Sequence, residues 1–180
     1  MIIKVFPKMI VESIIEKSLN LFSKWALISI NEPNEKLIDL EKKQKLKQLN
    51  CEKILSLEFS DLTEEQYKEI KKSQQQKFKE ELKLFSDEQS KSIINFVNGI
   101  KCDQTFKFLV IHCYAGISRS GAVGLWASRF LNLKESDFWF HNPTVYPNSY
   151  ILDKLLKMSG MKNNYEDFWN NIKISNDFFN

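Results

Sequence analysis

Arginine is scarce in this chain. Of its 180 residues 26 are Lys or Arg, yet the only arginines are Arg119 and Arg129. Histidine is limited to His112 and His141. Three cysteines, odd in number and widely spaced, do not make a disulfide framework, and so a reducing compartment is expected. No apolar run is long enough to span a bilayer. The start, Met1 to Pro7, lacks the apolar core and small-residue cleavage site of a secretory signal, so the expected location is the cytoplasm and no membrane partner is expected. A net charge of +3 is too small to argue for nucleic acid by itself. No cluster has metal-ligand spacing and no dinucleotide fingerprint is present, so neither a metal nor a cofactor is expected. There are no internal repeats.

What is present is ordinary for a globular domain: 43% hydrophobic and 27% charged residues. The length suits one domain over 1–180 with a sizeable core, and a monomer is favoured. The scarce residue types gather in one place. Residues 112–121 read His-Cys-Tyr-Ala-Gly-Ile-Ser-Arg-Ser-Gly, which sets a thiol, Cys113, six positions before the guanidinium of Arg119. The apolar run Phe106–Ile111 reads as a buried strand leading in, and Ala122–Leu131 as a helix leading out. A short loop between a strand and a helix N-terminus is a natural anion cradle, because unpaired backbone N–H groups converge there. A cysteine in such a cradle is expected as the thiolate, its nucleophilic form. Arginine has a physical reason to appear here, since its planar fork binds two phosphate oxygens at once and lysine cannot.

The string His112-Cys113-Tyr114-Ala115-Gly116-Ile117-Ser118-Arg119-Ser120 resembles the Cys-x5-Arg signature of the protein tyrosine phosphatase superfamily, in wording closest to the dual-specificity branch. The resemblance is strong over 105–131, weaker over 53–62 and 143–158, and thin across the first 50 residues and 63–85. It implies a metal-independent phosphomonoester hydrolase acting on phosphorylated proteins or peptides. Relatives with the same motif act on phosphoinositides or RNA 5′ ends. A phosphate-binding pseudo-enzyme and a rhodanese-like or arsenate-reducing use of the thiol are the rivals. The absence of lysine among Tyr114–Ser118 argues against the phosphoinositide branch; RNA ends stay open.

The surrounding pattern predicts an α/β fold: a central, mainly parallel sheet of four to five strands covered by helices on both faces. Ile2–Phe6, Trp25–Ile30, Ile54–Phe59 and Phe106–Ile111 are the expected strands. Residues 8–20 carry Ile10, Ile14, Ile15 and Leu19 at helical spacing. Residues 35–50 read as a lysine-rich, partly helical surface segment containing Leu37, Leu40 and Leu46. Ser86-Asp87 caps a helix bearing Ile93, Ile94, Val97 and Ile100. The charged stretch 63–85, with Tyr67, Ile70, Phe78, Leu82 and Phe85 as thin anchors, reads as an exposed insertion or as a lid bordering the site.

Within the motif, Cys113 is the expected nucleophile and Arg119 the phosphoryl clamp. The backbone amides of Tyr114, Ala115, Gly116, Ile117, Ser118 and Arg119 are the expected anion donors. Gly116 is expected to let the loop turn with positive φ or to let the phosphate approach closely. Ser120 is expected to hydrogen-bond the sulfur or to cap the helix. His112 is expected to order the loop. The leaving group needs a proton, and the resemblance implies an aspartate on a loop after a neighbouring strand. Asp61, directly after Ile54–Phe59, is the first candidate, with turn or helix capping as its alternative role. Asp87 is the second, its distance to Cys113 being nearer the family's usual separation. Asn148, after Pro147, is expected to orient the loop or the hydrolytic water, or to start a helix. His141 is read as packing among Phe138, Trp139 and Phe140, and Cys51 and Cys102 as incidental thiols.

Overall fold

The structure, a computed structural model, describes residues 1–19, 23–35, 38–72 and 82–162. Four strands, β1 (Ile2–Pro7), β2 (Trp25–Asn31), β3 (Cys51–Glu58) and β4 (Phe108–Cys113), form one sheet in the order β1-β4-β2-β3. Every neighbouring pair is parallel. Among the described residues seven helices surround it: α1 (Lys8–Glu16), α2 (Leu40–Gln48), α3 (Glu64–Lys72), α4 (Asp87–Lys101), α5 (Arg119–Phe130), α6 (Glu135–His141) and α7 (Ser149–Met158). The α/β fold with a parallel sheet expected from the sequence is the fold observed.

Side-chain alternation along β2 and β4 divides the core. Ala26, Ile28, Ile30, Leu109, Ile111 and Cys113 face a large cluster with Ile93 and Val97 of α4, Val123 and Trp126 of α5, and Leu152 and Leu155 of α7. Trp25, Leu27 and Val110 face a smaller cluster with Val11 and Ile15 of α1 and Leu46 of α2. A register shift between Trp25 and Ala26 carries Lys53, rather than Glu52, opposite Ala26. This shift lets Cys51 and Ile54 join the same small cluster.

Several boundaries differ from expectation. The first helix stops at Glu16, because Ser18 takes φ 49 and Leu19 N–H turns back to the Ile14 carbonyl, leaving Leu19 outside and exposed. β4 starts at Phe108 and runs through Cys113, which pairs with Pro7 at the end of β1. Phe106 lies before it in a turn closed on the Asp103 carbonyl. α5 begins at Arg119 rather than Ala122. Of the 63–85 stretch, α3 has no buried residue, whereas Phe85 is fully buried against Phe59. Phe78 and Leu37 lie outside the described residues. The expected helix start at Ser86 is a complete capping box with Gln89.

Candidate active site

β4 delivers Cys113 at the carboxyl end of the sheet, and α5 starts six residues later. The loop between them is fixed from outside by its carbonyls. Tyr114 accepts from Lys8 N–H, Ile117 from Tyr146 N–H, and Ser118 from both Ala122 N–H and Asn148 N–H. Among the described residues, none of the backbone N–H groups from Tyr114 to Arg119 donates a hydrogen bond. The loop thus turns its acceptors into the protein and leaves its donors free at the N-terminus of α5, an arrangement suited to an oxyanion.

Gly116 makes this path possible. Its φ is 71, and a Cβ there would lie 2.3 Å from the Pro7 nitrogen and 2.4 Å from the Phe6 carbonyl carbon. The expected positive φ is observed, and the close approach the glycine permits is to the end of β1. Gly121 allows a second close contact: a Cβ would meet Val145 Cγ1 at 2.5 Å, where the segment leading to Asn148 crosses α5.

Cys113 is buried, with its Sγ 3.0 Å from Ser120 Oγ. Ser120 is the second residue of α5 while Ser118 holds the N-cap position, so the Ser120 hydroxyl faces the sulfur and does not cap the helix. Arg119 is also buried, at 3% exposure. Its Nη1 donates to the Phe59 carbonyl at 2.8 Å, and its Nη2 is ion-paired with Glu32. Its Nε is buried without a partner. A buried arginine donor left unpaired is a place where an anion would complete the bonding.

Sequence reasoning missed Glu32 and the residues behind it. Glu32 N–H donates to Glu35 Oε2, Glu35 Oε1 pairs with Lys8 Nζ at 3.0 Å, and Lys8 N–H holds the Tyr114 carbonyl. Burial pushes the Glu35 carboxyl up, but the Glu32 amide and the Lys8 ammonium outweigh it and hold it below the ordinary carboxylate range. The available signal was positional: Asn31-Glu32-Pro33-Asn34 follows a strand, and functional groups in parallel α/β sheets gather at strand carboxyl ends. On this face of the sheet a cavity of about 260 Å³ opens beside Lys8, Ser29, Asn31, Glu35, Lys42 and His112.

The two candidate acids fall in different places. Asp61 lies on the turn after β3 and meets the loop directly: its Oδ1 accepts from Ser118 Oγ at 2.8 Å and from Asn148 Nδ2 at 2.9 Å. Asp87 is the first residue of α4 and pairs with Lys154 of α7 at 2.9 Å. The hydrogen bond and charge of Lys154 hold the Asp87 carboxyl below its ordinary range, which opposes keeping a proton. Asn148 starts α7, its Oδ1 accepting from Ile151 N–H, while its backbone N–H donates to the Ser118 carbonyl of the loop and its Nδ2 to Asp61.

His112 is 3% exposed. Its Nδ1 has no hydrogen-bond partner, while a hydrogen bond to the Cys113 backbone ties the residue to the start of the loop. Burial and the Lys8 ammonium push its pKa down to about 4. His141 lies beside the Phe140 ring and within 3.3 Å of Lys4 Nζ, away from these groups. Cys51 is buried and Cys102 exposed, and both are free thiols. Burial pushes the Cys51 thiol up to about 12, with Glu52 adding to the effect. Among the described residues no group of three or more His, Cys, Asp or Glu could hold a metal ion, and no helix is long and apolar enough to cross a membrane.

No family model matches the chain, and no curated protein does. Solved structures do. Tk-PTP in its active form aligns with a TM-score of 0.50 at 16% identity, over 87% of this chain and 88% of that one. A human tyrosine phosphatase-like serine/threonine/tyrosine-interacting protein aligns with a TM-score of 0.49 at 15% identity, over 88% of this chain and 91% of that one. The likeness is one of fold: the chain has a protein tyrosine phosphatase-like architecture.

Proposed function

We propose that the chain is a cysteine-dependent phosphomonoester hydrolase acting on phosphotyrosine in proteins or peptides, with phosphoserine and phosphothreonine as a second substrate class. The observation that carries this reading is the free donor set from Tyr114 to Arg119, closed around a buried thiol by carbonyls tied outward.

In this reading three phosphoryl oxygens take the places of the missing acceptors. Cys113 Sγ attacks phosphorus, and the bond to the ester oxygen breaks as the S–P bond forms. Arg119 Nε and the loop amides hold the charge that spreads over the equatorial oxygens. Asp61 gives a proton to the departing oxygen. Water then attacks the thiophosphate and returns a proton to Asp61, phosphate leaves, and Ser120 Oγ–H steadies the departing sulfur. The free thiol calls for a reducing compartment.

The rim favours an aryl ester over a polyanion. Tyr114 and Ile117 of the loop are 69% and 39% exposed, and Tyr146, which meets the Ile117 carbonyl from the segment before α7, is 62% exposed. The loop side chains supply no lysine, and the carboxylates of Glu32 and Asp61 both stand at its edge.

The test is a panel of phosphotyrosine and phosphothreonine peptides, a phosphoinositide and 5′-triphosphorylated RNA, each assayed with the wild type and Cys113→Ser. The reading expects turnover of the phosphotyrosine peptide first, lost in Cys113→Ser with phosphate binding retained. Turnover undiminished in Cys113→Ser would remove the thiol mechanism, and preference for either of the last two substrates would replace the substrate class.

A further inference from the structure

We propose that Ser118 and Asn148 are positioning residues that decide which oxygen of Asp61 carries the transferable proton; this rests on the reading of Asp61 as general acid. Both side chains donate to the same atom, Oδ1, at 2.8 and 2.9 Å. Ser118 Oγ–H and the Asn148 side-chain N–H come from two segments far apart in sequence, the end of the anion-binding loop and the start of α7, which the Asn148 backbone N–H joins at the Ser118 carbonyl.

A protonated carboxyl has one carbonyl oxygen with two acceptor positions and one hydroxyl oxygen that must donate. Two donors converging on Oδ1 fill both of its acceptor positions. A proton on Oδ1 would displace one of them and leave a donor unmatched. The neutral acid is therefore held with Oδ1 as carbonyl and Oδ2 as hydroxyl, so Oδ2–H is the group free to meet the ester oxygen. When the P–O bond breaks, that proton moves to the departing oxygen and Asp61 becomes a carboxylate with the same two donors in place. In the second step it takes a proton from the attacking water at the same oxygen. The carboxyl does not have to rotate between the steps.

Each donor gives up its local alternative for this bond. Ser118 occupies the N-cap of α5, where serine commonly bonds a backbone N–H of the first turn, yet it makes no such cap bond. Asn148 caps α7 through its oxygen alone, which leaves its NH₂ for Asp61. Residues 57 and 87 positions from Asp61 thus converge on one atom beside the Cys113 loop.

The test exploits the two ends of the Asn148 amide. Asn148→Asp keeps the oxygen that caps α7 and replaces the donor with a second acceptor, while Ser118→Ala keeps the loop backbone and removes the hydroxyl. The readout is the ratio of kcat/KM for para-nitrophenyl phosphate, whose leaving group departs readily, to that for phenyl phosphate, whose leaving group needs the proton. It is measured across pH with thermal melting as a control. Each variant should raise this ratio about tenfold, in the same sense as Asp61→Asn but by less, because a positioned acid contributes roughly a hundredfold or more in full. Asn148→Ser, which keeps a capping oxygen and a shorter hydroxyl donor, should fall between wild type and Asn148→Asp. A ratio unchanged in Ser118→Ala and Asn148→Asp, while Asp61→Asn raises it, overturns the positioning role alone. A ratio unchanged in Asp61→Asn overturns the acid assignment and this inference with it.

Discussion

Arg119 Nη1 donates to the carbonyl of Phe59, 60 residues earlier in the chain, so the guanidinium is anchored by the end of β3 before any ligand arrives. Glu32 fixes Nη2 from the end of β2. The orientation of the remaining Nε is then set by two neighbours in the sheet. An arginine needs its rigid fork to serve three directions at once.

Arg119→Lys should therefore lose more than a charge-conserving change suggests. One ammonium cannot reach the Phe59 carbonyl, Glu32 and a phosphoryl oxygen together. Turnover of para-nitrophenyl phosphate, followed by steady-state kinetics, is expected to fall at least a hundredfold to a thousandfold in kcat/KM. A loss under about tenfold would mean that the fork is not used.

Glu32→Ala should release Nη2 and let the guanidinium drift. A fall in kcat of roughly tenfold to a hundredfold is expected, with Glu32→Gln recovering much of it because the amide oxygen still accepts. Steady-state kinetics on the three proteins checks this. Equal kcat in all three would show that Phe59 alone positions the arginine.

Gly116→Ala tests the packing of the loop on β1. The positive φ alone costs about 1–3 kcal/mol for a residue with a side chain, and the Cβ would strike backbone at Phe6 and Pro7. The melting temperature should drop by several degrees, about 2–4 °C for each kcal/mol in a chain of this size. Wild-type melting with intact activity would contradict the backbone path from Cys113 to Arg119.

His112 makes acid stability testable. Its folded pKa of about 4 lies below the ordinary 6.5, so the unfolded chain takes up the proton first as pH falls. The stability it contributes is complete above about pH 6.5 and is lost progressively as pH falls towards 4, on the order of 2–3 kcal/mol across that window. Urea unfolding at pH 7 and pH 4.5 should show a larger acid loss for wild type than for His112→Asn. Equal losses would assign the acid sensitivity to carboxylates alone.

Much of this site was legible in the sequence because it is local. Cys113, Gly116, Arg119 and Ser120 stand within eight consecutive residues, and the strand before them and helix after them follow from apolar patterning. Boundaries were less legible. The helix from Lys8 ends early because Ser18 adopts a left-handed turn, a conformation that residue type does not dictate, and β4 extends to Cys113 because it pairs with β1.

By itself the sequence determined the alternation of strands and helices and the chemistry of one loop, since both depend on neighbours along the chain. Only the tertiary structure decided which carboxylate meets Arg119 and which aspartate reaches the loop. Glu32 reaches Arg119 and Asp61 reaches Ser118 because the strand order β1-β4-β2-β3 sets the ends of β2 and β3 on one side of β4, and Asn148 meets Asp61 from the start of α7. Such pairings rest on contacts between segments far apart in the chain, and no local preference encodes them.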